Sequence, residues 1–140
     1  MASAHVELVG EALDSYREDW IDALLEYTVP DIEWQTGGTF VDEGTCRGHD
    51  AVRRYLAAME DAFEGLRVDP RELIDAGDAV VGHTRDTGRG RGSGVPVEVD
   101  HYYAIWFRGD KIRRIQNFRD RTSAFEAVGL AGATGKREVG

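Results

Sequence analysis

On the N-terminal side of Gly65, apolar residues recur with the period of an α-helix, about 3.6 residues per turn. The spacing predicts three amphipathic helices, and acidic residues fill the outward side of the first one. Asp19 is placed to cap the second helix, which Pro30 ends, and the third stops near Gly65. The inward positions are Val6, Val9, Leu13 and Tyr16, then Trp20, Ile21, Leu24, Leu25 and Thr28, and finally Val52, Tyr55, Leu56, Met59, Ala62 and Phe63.

From Leu66 onward the period of the apolar residues shortens to about two, which is typical of strands. Glycine-rich turns separate these segments and predict hairpin connections. Earlier in the chain, Ile32 to Trp34 is a candidate short strand, and a glycine-rich stretch after it is expected to be an exposed loop. The four later strands are predicted at residues 66–75, 79–87, 95–108 and 111–119, and the loop at 37–38 and 42–48.

The C-terminal part of the chain carries the signal of one more helix. Ser123 and Glu126 have the spacing of a capping box, and Asp120 just before them suits an N-cap better than a catalytic base. The last ten residues have no apolar period. We therefore expect one domain over residues 1–130 and a flexible tail over 131–140.

Length and charge narrow the class of protein. A chain of 140 residues closes around a single core, and its net charge of −9 disfavours nucleic acid and anionic membranes as partners. Cys46 is the only cysteine, so the chain has no internal disulfide. No apolar run is long enough for a membrane span, and the first residues lack the features of a signal peptide, so we expect a cytoplasmic protein.

Helices followed by an antiparallel meander predict the α+β class, with a curved sheet wrapped around the N-terminal helices to form a cone. Several phrases resemble the nuclear transport factor 2-like superfamily, which includes ketosteroid isomerase, and within it the SnoaL-like proteins. The resemblance implies a cystatin-like α+β roll. These phrases are Asp31 to Trp34, Cys46 to Gly48 with Ala51 to Arg53, Glu72 to Asp78, Gly88 to Gly94, Asp120-Arg121 and Phe125 to Leu130.

The strand at residues 95–108 supplies both a candidate active-site face and a candidate interface. Alternation places His101, Tyr103 and Ile105 on one face. The resemblance implies that one face lines the cone and that the other packs on a second subunit. We therefore expect a homodimer through the outer face, formed by Tyr102, Trp106 and Phe118. The resemblance also places Tyr103 where related isomerases hold an oxyanion donor.

On the strand at 79–87, either of the two alternating sets of residues could face the cavity. Parity favours His83 and Arg85 facing inward, and a bulge would exchange them for Asp86. His83 or His101 would then act as the base, with Tyr103 or Arg85 stabilising an enolate. A structural role for each histidine is the competing interpretation.

The remaining candidates would bind the ligand rather than react with it. Asn117 and Arg119 share a face of the last strand, and Arg119 together with Arg85 predicts a neutral to basic cavity. No histidine spacing indicates a metal site, and we expect no cofactor. The substrate-binding set is Tyr16, Trp20, Trp34, Met59, Phe63, Ile105, Asn117 and Arg119.

Two functions remain open at this point. In the first, the protein binds a small, apolar, carbonyl-containing molecule and acts as a cofactor-free isomerase, cyclase or lyase by proton transfer. In the second, the same fold is a non-catalytic ligand-binding or protein-interaction module. The first is the leading hypothesis. The second is motivated by Gln35 or Thr36, and by Ala12, which fall where the resemblance to ketosteroid isomerase would require a carboxylate base and a tyrosine.

Overall fold

Helices cover both faces of a six-stranded sheet in a computed structural model, which describes residues 3–19, 21–36 and 44–129. The strand order is β2-β1-β6-β5-β4-β3. The predicted α+β class is confirmed. The helices are α1 (Ala4–Asp19), α2 (Ile21–Leu25), α3 (Gly48–Ala62) and α4 (Arg121–Ala127), and the strands are β1 (Thr28–Gln35), β2 (Thr45–Arg47), β3 (Phe63–Asp75), β4 (Ala79–Gly90), β5 (Pro96–Arg108) and β6 (Lys111–Phe118).

The sheet has an inner face toward α1, α2 and α3 and an outer face toward α4. The main core joins apolar residues of the first three helices to inner-face residues such as Val80, Ile105 and Ile115. A smaller cluster on the outer face joins Val81 to Ala124 and Phe125 of α4, with Tyr102 and Phe118 packed beside them. No helix in the described part of the chain is long and apolar enough to cross a bilayer.

Strands β3 to β6 form the predicted antiparallel meander, and the parallel pairing of β1 with β6 was not predicted. The predicted second helix is too long at its C-terminal end, because Thr28 belongs to β1 and not to a helix. Pro30 lies inside β1, where the register with β6 shifts between Thr28 and Glu33. A proline is tolerated there because an irregular stretch of strand does not need its missing N–H.

Smaller differences concern the ends of elements. The third helix ends at Ala62, and Phe63 already begins β3. Part of the predicted loop is a short strand, β2, while residues 37–43 and the predicted tail at 131–140 lie outside the described residues. In α4, Asp120 is the N-cap and its carboxylate accepts a hydrogen bond from the Ser123 backbone N–H at 2.7 Å. The cap is therefore Asp120 rather than Ser123.

Strand β3 forms one edge of the sheet and is irregular. Its register with β4 shifts between Glu64 and Arg67 and again between Pro70 and Glu72. Strand β3 also contacts α1. These shifts leave the inward positions of β4 unchanged, because the pairing of β4 with β5 is continuous from Ala79 to Arg89.

Candidate functional site

A cavity of about 80 Å³ lies between α1, α3 and the inner face of the sheet. Its wall is mostly apolar, and its polar side chains come from the neighbouring strands β4, β5 and β6. The aromatic and sulfur-containing lining residues include Tyr16, Trp34, Tyr55, Met59 and Tyr103. The polar lining residues include Thr84, Asp86, His101 and Asn117.

A histidine–aspartate pair lies at the polar end of the cavity. Nδ1 of His101 is 2.7 Å from Oδ2 of Asp86, and the two side chains are only 6% and 3% exposed. A carboxylate can only accept hydrogen bonds, so an ionised Asp86 holds the proton on Nδ1. Proton exchange with a ligand then falls to Nε2 of His101. Such an arrangement orients an imidazole as a general base.

Thr84 and Tyr103 extend this pair along the wall. Thr84 donates its hydroxyl proton to Oδ1 of Asp86 at 3.0 Å, and its oxygen lies 3.4 Å from the Tyr103 hydroxyl. Burial, followed by the charge of Asp86, raises the pKa of Tyr103 well above its usual range, and the same two causes raise the pKa of Tyr16. Both phenols therefore keep their protons at neutral pH and can act as donors.

A second polar pair closes another part of the wall. The Trp34 indole N–H donates to Oδ1 of Asn117 at 2.8 Å, and both residues are buried. Asn117 is also the cross-strand partner of Tyr103. Side chains of such partners lie about 5 Å apart at Cβ on the same face of a sheet. The amide of Asn117 and the phenol of Tyr103 are therefore neighbours.

Several of the residues that the sequence suggested for the site do line this cavity. They come from α1, α3 and strands β1, β5 and β6. Three of them are alternate residues of β5, and Asn117 lies opposite Tyr103. Trp20 lies outside the described residues. The lining members of the predicted set are Tyr16, Trp34, Met59, His101, Tyr103, Ile105 and Asn117.

The expected inward orientation of His83 and Arg85 is wrong. Thr84 pairs with His101 across the sheet, and cross-strand partners share a face, so Thr84 and Asp86 point inward. His83 and Arg85 then take the outer face, where both contact Asp100, at 2.9 and 3.0 Å. No bulge is needed for this result, because the register of β4 with β5 is continuous.

Two further predicted residues also lie away from the cavity. Arg119 follows the last residue of β6 and is exposed. Phe63 is half-buried at the start of β3 and is not part of the cavity wall. No inward role was predicted for Thr84. Its register opposite His101 is the signal that would have identified it.

The charge of the cavity differs from the expectation of a neutral to basic site. Among the described residues, no lysine or arginine lines the cavity, and Asp86 and His101 are its only ionisable acid–base pair apart from the tyrosines. Within the same described ranges, no three His, Cys, Asp or Glu side chains come together at a possible metal position. The Asp86–His101 pair has the chemistry needed to exchange a proton with a polar group in this apolar cavity.

An α+β fold whose sheet and helices enclose an apolar cavity with a few polar groups is typical of small-molecule-binding proteins. Residues 9–115 match the family model of the SnoaL-like domain. The chain therefore belongs to the SnoaL-like domain family, as the sequence resemblance predicted. No curated protein matches this chain.

Solved structures with the same fold span nearly the whole chain. TerC, co-crystallised with polyporic acid, is 27% identical, with a TM-score of 0.73 over 90% of this chain and 98% of that chain. A nuclear transport factor 2-like protein from Burkholderia thailandensis E264 is 26% identical, with a TM-score of 0.75 over 86% and 92%.

A protein with a ketosteroid isomerase-like fold from Catenulispora acidiphila, solved with trimethylamine, is 20% identical. Its TM-score is 0.71 over 89% of this chain and 93% of that chain. At this identity the likeness concerns the fold alone. It agrees with the fold that the sequence phrases predicted.

Proposed function

We propose that this protein is a cofactor-free enzyme that moves a proton on a small, largely apolar carbonyl compound. The observation that supports it is the buried His101–Asp86 pair at the polar end of an apolar cavity. His101 replaces His83 as the base, because His83 lies on the opposite face of the sheet. Asp86 accepts the Nδ1 proton of the imidazole and so orients Nε2 toward a ligand.

In the proposed reaction, Nε2 of His101 takes a proton from the carbon next to the carbonyl group. The electron pair of the broken C–H bond moves into the carbonyl group and forms an enolate oxygen, which the protonated Tyr103 stabilises by donating a hydrogen bond. The imidazolium then returns a proton to carbon. All atoms and electrons balance without an oxidant, a metal or a cofactor.

The size of the cavity limits how a ligand can bind. Ligand sites usually measure about 300–1,000 Å³, whereas this cavity measures about 80 Å³. Tyr16, Leu66 and Val68 line the cavity and also a surface cleft between α1 and β3. We propose that this thin wall moves to admit the ligand.

A proton-exchange assay tests the chemistry without knowledge of the natural substrate. The probe is 2-indanone in D₂O, and proton NMR follows the replacement of its α-protons by deuterium. We expect the protein to accelerate exchange, and His101→Gln to reduce the protein-dependent rate by about 100-fold or more. His83→Gln is the matched control and should change the rate by less than about twofold.

Either of two results would overturn this proposal. In one, the His101 variant exchanges protons as fast as the wild-type protein. In the other, both histidine variants lose the same fraction of the rate, which would point to a general effect on folding. Native mass spectrometry for a co-purified ligand, with a thermal-shift screen of polyketide-like and terpenoid compounds, would identify the substrate class.

A non-catalytic ligand-binding module is the second candidate, and the small cavity favours it. In that case Asp86 and His101 only satisfy each other inside the core. The two candidates differ in one measurable result. A binding module would gain thermal stability with a ligand and yet show no exchange above the rate in buffer.

We also propose that the protein forms a homodimer through the outer face. Helix α4 already covers part of this face, because Tyr102 and Phe118 pack beside its cluster. Trp106 is half-buried, with the Arg114 guanidinium 5.1 Å from its ring centre. Trp106→Glu should convert a dimer to a monomer in sedimentation experiments, and an unchanged mass would contradict this interface.

A further inference from the structure

The hydrogen bond between Trp34 and Asn117 determines which end of the Asn117 amide is available to a ligand. An indole N–H can only donate, so the amide oxygen must be the atom that faces Trp34. The amide nitrogen, with two protons to donate, therefore occupies the other branch of the group.

The amide nitrogen of Asn117 has no hydrogen-bond partner among the described residues. Asn117 is 6% exposed and lines the cavity. Among the described residues, its amide nitrogen is not one of the fully enclosed side-chain atoms that lack a partner. A donor that lacks a partner in an apolar cavity is unfavourable, because it has lost its hydrogen bonds to bulk water. A ligand acceptor in the cavity would remove that cost.

A second donor lies beside it. Thr84 has one hydroxyl proton, and the carboxylate of Asp86 takes it, so the contact between Tyr103 and Thr84 requires the phenol to donate. The two oxygens are 3.4 Å apart, which is the long end of the range for such bonds. The hydrogen bond from Tyr103 to Thr84 is therefore weak, and the phenol O–H can turn to a better acceptor.

We propose that the Asn117 amide and the Tyr103 hydroxyl together bind the carbonyl oxygen of a neutral ligand, and that Trp34 fixes the amide in its donating orientation. This inference rests on the proposed function of the cavity and adds the part of the ligand that is recognised. Asn117 and Tyr103 are specificity-determining residues, and Trp34 is a positioning residue.

The charges around these donors favour a neutral oxygen over a carboxylate. The cavity wall, as far as the structure describes it, holds Asp86 and contains no lysine or arginine. A ligand carboxylate would therefore be repelled by a buried charge of the same sign, at a site where water does not screen it. Ketones, quinones and lactones offer the required acceptor without that penalty.

A pair of one-ring probes of similar shape tests this proposal. Acetophenone carries the carbonyl oxygen, and ethylbenzene lacks it. In ¹⁵N-labelled protein, we expect acetophenone to shift the Asn117 side-chain NH₂ signals, while ethylbenzene leaves them close to their free positions. Trp34→Phe should broaden or split these signals in the free protein, because the amide can then turn over.

Affinity provides the second measurement. Asn117→Asp keeps an oxygen acceptor for Trp34 and removes the N–H donors, so acetophenone should bind at least about tenfold more weakly. Tyr103→Phe removes the other donor with little change in shape and should have a similar effect. Neither variant should change the affinity for ethylbenzene by more than about threefold.

The outcomes separate this inference from the proposed function. Equal losses for the two probes, or unchanged acetophenone binding in both variants, would overturn the two-donor site and leave the cavity as a binding site. Failure of both probes to bind the wild-type protein would overturn the proposed binding function, and the two-donor site with it.

Discussion

The two faces of the sheet carry two histidine–aspartate pairs on the same two strands, in opposite arrangements. On the inner face the histidine is on β5 and the aspartate on β4, as His101 and Asp86, 2.7 Å apart. On the outer face the order is reversed, as His83 and Asp100, 2.9 Å apart. Their side chains are 6% and 3% exposed inside and 17% and 38% exposed outside.

The surroundings of the two pairs differ more than their distances. Asp100 also contacts Arg85 at 3.0 Å, and His83 stacks on Tyr102 with ring centres 4.4 Å apart. The side chain of Arg85 followed by that of His83 lowers the pKa of Asp100. The outer pair is therefore part of a solvated ionic cluster. A residue pattern alone does not define a catalytic pair, since burial and the adjoining cavity distinguish the inner one.

The largest expected difference between the pairs concerns stability. Asp86→Ala removes the partner of two buried groups, Thr84 and His101, and should lower the free energy of unfolding by about 3 kcal/mol. Asp100→Ala should lower it by less than about 1 kcal/mol, because that cluster is solvated. Urea unfolding followed by circular dichroism measures both, and equal losses would show that burial does not make the inner pair more important for stability than the outer one.

A smaller difference is expected at Thr84. Thr84→Val keeps the shape of the side chain but leaves Oδ1 of Asp86 without its donor, so we expect a loss of about 1–2 kcal/mol. Thr84→Ser keeps the hydroxyl and should recover most of that loss. The same urea experiment measures both variants. If valine proves as stable as serine, the hydroxyl does not support the inner pair.

The smallest expected effect is the pH dependence at Asp100. Its folded-state pKa is lowered, so its contribution to stability is present above its unfolded pKa, about 3.9, and is lost as the pH falls through the lower folded value. Asp100→Asn should therefore be less stable than the wild-type protein at pH 7, and the difference should shrink at pH 3. Urea unfolding at both pH values tests this, and a growing difference would contradict it.

Part of the site was predictable because the sequence of β5 alternates clearly between the two faces of the sheet. His101, Tyr103 and Ile105 alternate with residues of the other face, and the structure places them inward as the alternation indicated. The order of helices and strands was equally readable, because their apolar periods differ. These features depend on local spacing, which a single sequence contains.

The prediction assigned the faces of strand β4 wrongly, because both faces are buried and apolar residues therefore do not alternate with polar ones. Val80 lies in the main core at 0% exposure, and Val81 lies under α4 at 2%. Two adjacent valines then look alike, and the inward set can be chosen only from the pairing with β5. The partners Thr84 and His101 decide it, and that contact joins distant parts of the sequence.

The end of the second helix was predicted wrongly for a related reason. Thr28 continues the helical spacing, but its hydroxyl donates to the Leu25 carbonyl at 2.7 Å, and the chain leaves the helix there to enter β1. The short strand β2 has too few residues to show any period. Pairing with β1 defines it, and local preference does not.

The irregular edge strand β3 also affects how the protein behaves at high concentration. A long, regular edge offers unpaired backbone groups to other chains and promotes aggregation. At one edge β2 is only three residues long, and at the other β3 has thirteen residues interrupted by two register shifts and Pro70. Both edges are poor templates for another strand, so the sheet can stay open at its sides without joining its neighbours into fibres.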